Sequence, residues 1–117
     1  MSLIFVGGSQ RSGTTVLQQL LCADQDASPR LAEASYLRML VSTYQQARLD
    51  FDHDTSSYFR DLEQFRNFHA SVVNIFLNRT LNAHYPARHL VLKEPHLTPL
   101  FPALFDLVPN AQFVLIF

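Results

Sequence analysis

Cysteine, glycine and charge are all scarce in this 117-residue chain, and tryptophan is absent. The single cysteine, Cys22, excludes an internal disulfide, and its setting beside Leu20 and Leu21 reads as a buried thiol rather than a nucleophile. With one cysteine and five histidines at no ligand spacing, neither a structural zinc site nor any other metal is expected. No apolar run approaches the ~18 residues of a membrane span. The first apolar run opens at Leu3, which leaves no room for a signal peptide, so a cytoplasmic location is expected. Nine basic residues stand against ten acidic ones without a basic cluster, which argues against a nucleic-acid or anionic membrane surface. Any anion binding must therefore be local. The remaining composition, 48% hydrophobic and 16% charged, is that of one soluble domain over residues 1–117.

The three glycines are concentrated where they say most. Leu3-Ile4-Phe5-Val6 runs directly into Gly7-Gly8-Ser9-Gln10-Arg11-Ser12-Gly13-Thr14-Thr15 and then into an amphipathic stretch. An apolar strand, a glycine-bearing loop and a helix start are the parts of a phosphate-cradling turn. Glycines let backbone N–H groups close on an anion, and the helix N-terminus adds partial positive charge. Gly8 and Gly13 have the spacing of a Walker A loop, with Thr15 at its Ser/Thr position, but Thr14 stands where that loop has lysine. The cage is kept and the cation for a γ-phosphate is lost. Arg11 supplies a charge inside the loop instead, its planar fork suited to paired phosphate or sulfate oxygens.

Periodicity organises the rest. Val16, Leu17, Leu20 and Leu21 predict a helix over about residues 13–23 with that stripe on a sheet. Asp24–Pro29 reads as a loop, and Tyr36, Leu37, Leu40, Val41 and Tyr44 predict a helix near Ser35–Arg48. After a polar turn over Leu49–Ser57, Tyr58, Leu62, Phe65, Val72 and Phe76 recur at helical spacing until Pro86. These two stretches form a helical insert over about residues 35–85. Leu90-Val91-Leu92 reads as a buried parallel strand, Thr98-Pro99 as a helix start ending near Leu107, and Gln112–Phe117 as a further strand. The order is β-α-insert-β-α-β, a three-layer α/β/α architecture with a mainly parallel sheet.

Two segments together resemble a known family. Arg11-Ser12-Gly13-Thr14-Thr15 after an apolar strand resembles the 5′-phosphosulfate-binding loop of sulfotransferases that use 3′-phosphoadenosine-5′-phosphosulfate. The similarity is greatest to the branch of tyrosylprotein sulfotransferases and bacterial relatives. In that family a strand ending in Lys-acidic-Pro precedes a helix and a Pro-Asn-Ala-x-Phe turn; here Lys93-Glu94-Pro95 and Pro109-Asn110-Ala111-Gln112-Phe113 occupy those places. The resemblance implies a P-loop NTPase-like sulfotransferase fold, incomplete here. The family's Arg-Asp and downstream serine, which grip the donor's 3′-phosphate, would follow the strand that reaches Phe117. The chain is thus expected to be the N-terminal part of such a domain.

The resemblance also implies roles. Gly8, Ser12, Gly13, Thr14 and Thr15 would cradle the donor's 5′-phosphate, Arg11 would stabilise the phosphosulfate, and Lys93 would meet charge on the bridging oxygen. Glu33 falls near the place of the tyrosylprotein branch's base, although Ala32-Glu33-Ala34 lacks that branch's neighbouring glycine and arginine. His96 competes with it, because imidazole titrates near neutrality. The implied partners are a nucleotide donor and a hydroxyl or amine acceptor of unread identity, with no metal and no nucleic acid. Two other readings remain at this stage: an ATP- and magnesium-dependent phosphotransferase, and a truncated, non-catalytic module prone to self-association through an exposed sheet edge.

Overall fold

The computed structural model describes residues 2–9 and 13–116. Strand β1 (Ser2–Gly8) is flanked by β2 (His89–Lys93) and β3 (Gln112–Ile116), all three parallel, in the order β2-β1-β3. Register pairs Val6 with Lys93 on one side and Gly8 with Ile116 on the other. Parallel pairing thereby delivers the glycine loop, Lys93 and the tip of β3 to one end of the sheet, the end where ligands of open α/β sheets sit.

Strand alternation sorts the two faces. Leu3 and Phe5 of β1, with Leu90 and Leu92 of β2, enter a core shared with α2 (Ser35–Leu49), α3 (Leu62–Ala83) and α4 (Phe101–Leu107). Leu37, Val41 and Tyr44 of α2, Phe65, Val73 and Leu77 of α3, and Leu104 of α4 fill it. Tyr44 stacks on Phe65 at 5.4 Å between ring centroids, and Phe101 meets Phe113 edge-on at 4.9 Å. On the opposite face α1 (Thr14–Cys22) crosses β1 and β2. Among the aromatic residues of the helical insert, Tyr44 and Phe65 are buried and Phe51, Phe59 and Phe76 pack against the core, whereas Tyr36, Tyr58, Phe68 and Tyr85 are exposed.

The outer edge of β2 is covered by the stretch from residue 26 to 34. Ser28 N–H donates to the His89 carbonyl at 2.7 Å, Val91 N–H donates to Ser28 Oγ at 3.1 Å, and Ala34 N–H donates to the Lys93 carbonyl at 2.9 Å. Part of the loop expected at Asp24–Pro29 therefore satisfies a sheet edge that would otherwise expose unpaired backbone groups.

Three expectations are corrected. Only half of the stripe of Val16, Leu17, Leu20 and Leu21 turns inward: α1 buries Thr14 and Gln18 and half-buries Leu17 and Leu21, while Val16 and Leu20 are 59% and 67% exposed. Its rotation is governed by polar partners, since Gln18 Nε2 donates to the Leu31 carbonyl at 3.3 Å and Thr15 is bonded to β2. In α3 the buried stripe is Phe65, His69, Val73, Leu77 and Leu81, whereas Tyr58 precedes the helix and is exposed. His69 joins the core because its Nε2 reaches the Leu40 carbonyl at 2.9 Å, which requires the proton on that nitrogen. Finally, Thr98-Pro99 does not start the α-helix. Residues Pro95–Leu100 form a 3-10 turn and α4 begins at Phe101, because the Thr98 hydroxyl is taken by Gly8 of β1.

Gly7 is required by close approach. A Cβ there would stand 2.6 Å from Phe101 Cε2 and 2.8 Å from Leu115 Cδ2. Gly7→Ala is expected to cost about 1–3 kcal/mol by overpacking. Urea denaturation reads this directly; an unchanged midpoint would mean that Phe101 yields without cost.

Candidate functional site

The loop begins and ends on glycines with positive φ, 145° at Gly8 and 96° at Gly13. Side chains with a Cβ are strained in that region, so both positions demand glycine. Gly8 contributes through shape: its N–H is already donated to Thr98 Oγ1 at 3.0 Å, which ties the start of the loop to the 3-10 turn. Arg11 and Ser12, expected in the cradle, lie outside the described residues. Gly13 caps α1 without a side-chain hydrogen bond, and the first turn carries no acidic residue. The first intrahelical bond runs from Leu17 N–H to the Gly13 carbonyl at 3.1 Å. The N–H groups of the first turn, together with the positive end of the helix dipole, therefore face the loop without acceptors inside the helix.

Lys93 completes a positively charged corner. Its residue is buried, 9% exposed, and Nζ donates to Thr15 Oγ1 at 2.9 Å. Among the described residues no carboxylate lies within ion-pair distance of it. A buried cation whose partner among the described residues is a hydroxyl, beside a helix N-terminus, makes a corner of positive potential, and an anion there compensates it. Gly13, Thr14, Thr15 and Lys93 are thus brought to one place by β1–β2 pairing. The donor set is all N–H, O–H and ammonium, and it suits a phosphate or sulfate ester.

Glu94, next in the chain, is engaged elsewhere. It is 1% exposed, its Oε1 accepts from the His96 N–H at 3.0 Å, and its Oε2 lies 2.9 Å from Arg38 Nε of α2. That last contact is a charge pair whose N–H is not aligned as a hydrogen bond. It nevertheless anchors the turn after Lys93 to the helical layer. Glu33 is exposed, and the next residue is bonded through its N–H to the Lys93 carbonyl. His96 is exposed and follows Lys93 by a single turn. The Cys22 thiol is pushed above its ordinary pKa by burial, against the opposing pull of Arg30, which disfavours the nucleophilic thiolate.

Arg38, Gln18 and Thr98 were missed as site-building residues. Each acts on a partner distant in sequence or on a backbone atom, and only the Thr98-Pro99 pair left a local signal, which pointed to a helix cap. Among the described residues no three His, Cys, Asp or Glu side chains gather as a metal would need. No helix among them is long and apolar enough to cross a membrane.

Compared with known proteins, residues 3–117 match a family model described as "Sulfotransferase family". No curated protein matches the chain.

The Arg38–Glu94 pair makes a testable demand. Arg38→Met strands a buried carboxylate and is expected to cost about 3 kcal/mol, the low end for a buried pair because Arg38 is partly open to solvent. Adding Glu94→Gln should recover much of that loss in a denaturant-midpoint comparison. Equal losses in the single and double variants would show that Glu94 does not depend on Arg38.

Proposed function

The chain belongs to the sulfotransferase family, and on that premise we propose that it moves a sulfuryl group from 3′-phosphoadenosine-5′-phosphosulfate to a hydroxyl or amine acceptor. The observation that carries this reading is Lys93: a buried cation, bonded to Thr15 and to no described carboxylate, at the N-terminus of α1, whose N-cap is a glycine without a side chain to cap it. Such a corner calls for a dianionic ester, and it lacks the Walker lysine that Mg-ATP chemistry would use.

The donor supplies an activated sulfur–oxygen bond. The acceptor oxygen or nitrogen forms a new bond to sulfur in line with the bond that breaks, and the departing electron pair stays on the 5′-phosphate oxygen of adenosine 3′,5′-bisphosphate. The acceptor proton passes to a base. In this chain the first-turn N–H groups of α1, with the hydroxyls of Thr14 and Thr15, would hold the 5′-phosphate, Gly8 and Gly13 shaping the loop around it. Arg11 and Ser12 join them in this reading. Lys93 would donate to the bridging oxygen as charge develops there, the role in which a fixed cation lowers the barrier most. Glu33 is proposed as the base, on a segment already bonded to the end of β2, with His96 as the alternative.

Calorimetric binding tests the donor assignment. Adenosine 3′,5′-bisphosphate should bind at least about tenfold tighter than Mg-ATP. Lys93→Met should weaken it by at least about tenfold, with Lys93→Arg recovering part. The thermal midpoint of Lys93→Met should hold or rise, since a buried cation is replaced by hydrocarbon of similar length. A preference for Mg-ATP overturns the reading.

A further inference from the structure

Away from the anion corner, α2, α3 and α4 enclose a cleft of about 410 Å³, lined by Tyr44, Arg48, Leu62, Glu63, Arg66 and Asp106. None of these residues belongs to the glycine loop, to β2 or to the 3-10 turn. The Ala34 N–H, at the start of α2, is bonded to the Lys93 carbonyl, and at about 1.5 Å of rise per residue Tyr44 stands about 15 Å further along that helix. We propose that the cleft is a second ligand site, and that it takes a small zwitterion: an α-amino acid with an apolar side chain, its carboxylate on the Tyr44 hydroxyl and Arg66, its ammonium on Glu63.

Tyr44 carries the argument. It is 1% exposed, and its ring packs on Phe65 at 5.4 Å and on His69 at 5.2 Å between centroids. The core therefore fixes the hydroxyl at one place. Buried tyrosine hydroxyls normally find a partner, yet among the described residues none is bonded to this one. Burial pushes the phenol above its ordinary pKa, so it keeps its proton and can donate; Arg48 and Arg66 pull against this and Asp106 adds to it. All three of those charged residues line the cleft, which places the hydroxyl there too.

The charges around it set the ligand class. Arg48 and Asp106 neutralise each other across the gap between α2 and α4, with Nη1 2.8 Å from Oδ2. Glu63 and Arg66 are left. They stand three residues apart on one face of α3, the spacing at which opposite charges can meet, and no ion pair forms between them. A ligand bearing both charges, one for each, completes them. A polyanion such as a nucleotide would instead meet two carboxylates in this wall. Leu62 gives hydrocarbon, and a neighbouring cleft that shares Arg48, Leu62 and Asp106 adds Leu49, Pro102 and Ala103. An apolar side chain gains by leaving water there. The volume falls within the range of about 300–1,000 Å³ usual for small-molecule pockets.

The test is an amide-shift titration of the isotope-labelled 117-residue chain at neutral pH with three probes. These are L-phenylalanine, N-acetyl-L-phenylalanine, which lacks the cation, and 2-phenylethylamine, which lacks the carboxylate. L-phenylalanine should saturate shifts around Tyr44 and Leu62–Arg66 and bind at least about fivefold tighter than either analogue. Tyr44→Phe, which keeps the ring in the core, and Arg66→Gln on the surface should each weaken it by about threefold or more. Glu63→Gln should weaken L-phenylalanine and leave N-acetyl-L-phenylalanine unchanged or tighter. Spectra that are unchanged outside the cleft certify that each variant folds. The proposal is overturned if no saturation is seen by about 20 mM, the Tyr44 hydroxyl then being served by water. Equal binding of either analogue, shifts gathered at the anion corner, or indifference to both Tyr44→Phe and Arg66→Gln overturns it as well. It does not rest on the donor assignment, and either can fail alone.

Discussion

The hydrogen bond from Lys93 Nζ to Thr15 Oγ1 joins the end of β2 to the first turn of α1, and much of the site's geometry depends on it. It requires β1 and β2 to be adjacent and parallel, with Val6 opposite Lys93. A register slip of one residue would turn Lys93 to the other face of the sheet and carry it into the apolar core under α2. The bond also accounts for the rotation of α1. With Thr15 held at β2 and Gln18 reaching the Leu31 carbonyl, Val16 and Leu20 have no choice but to point outward. Polar demands outrank the apolar stripe here because a buried unpaired donor costs more than leaving two aliphatic side chains wet.

Around that corner the helical layer works as a brace. Arg38 of α2 holds Glu94, Glu94 holds the His96 N–H, and Thr98 in the same turn holds the Gly8 N–H. The loop and the lysine are thus fastened from opposite sides by one short 3-10 turn. Packing of Leu97 and Phe101 into the core fixes that turn in place. The long helices consequently bear on the site through support, with Tyr44, Phe65 and Leu77 committed to the interior.

Local patterns were legible where one physical term dominated. Continuous apolar runs marked β1 and β2, because strands buried on both faces leave no polar alternation to obscure them. Helix boundaries for α2 came within a residue, and of its expected stripe Leu37, Val41 and Tyr44 are buried and Leu40 half-buried, while Tyr36 is exposed. The faces of α1 and α3 were less legible. Gln18 and His69 are buried with a backbone carbonyl as partner, and hydropathy spacing cannot register a partner contributed by another segment. Thr98 failed for the same reason: its neighbouring proline signalled a cap, while its actual partner was the backbone of β1.

What the sequence by itself determined is the alternation of strands and helices, the glycine loop after the first strand and the residue types placed at strand ends. These follow from backbone sterics, apolar periodicity and the special freedom of glycine, all of which act over a few residues. Tertiary structure alone decided that Lys93 is buried against Thr15 without a described carboxylate, that Glu94 belongs to Arg38, and that a cleft opens on Tyr44 between α2, α3 and α4. Those facts depend on strand order and register, which bring together groups far apart in the chain, and charge and burial acquire their meaning only when such neighbours meet.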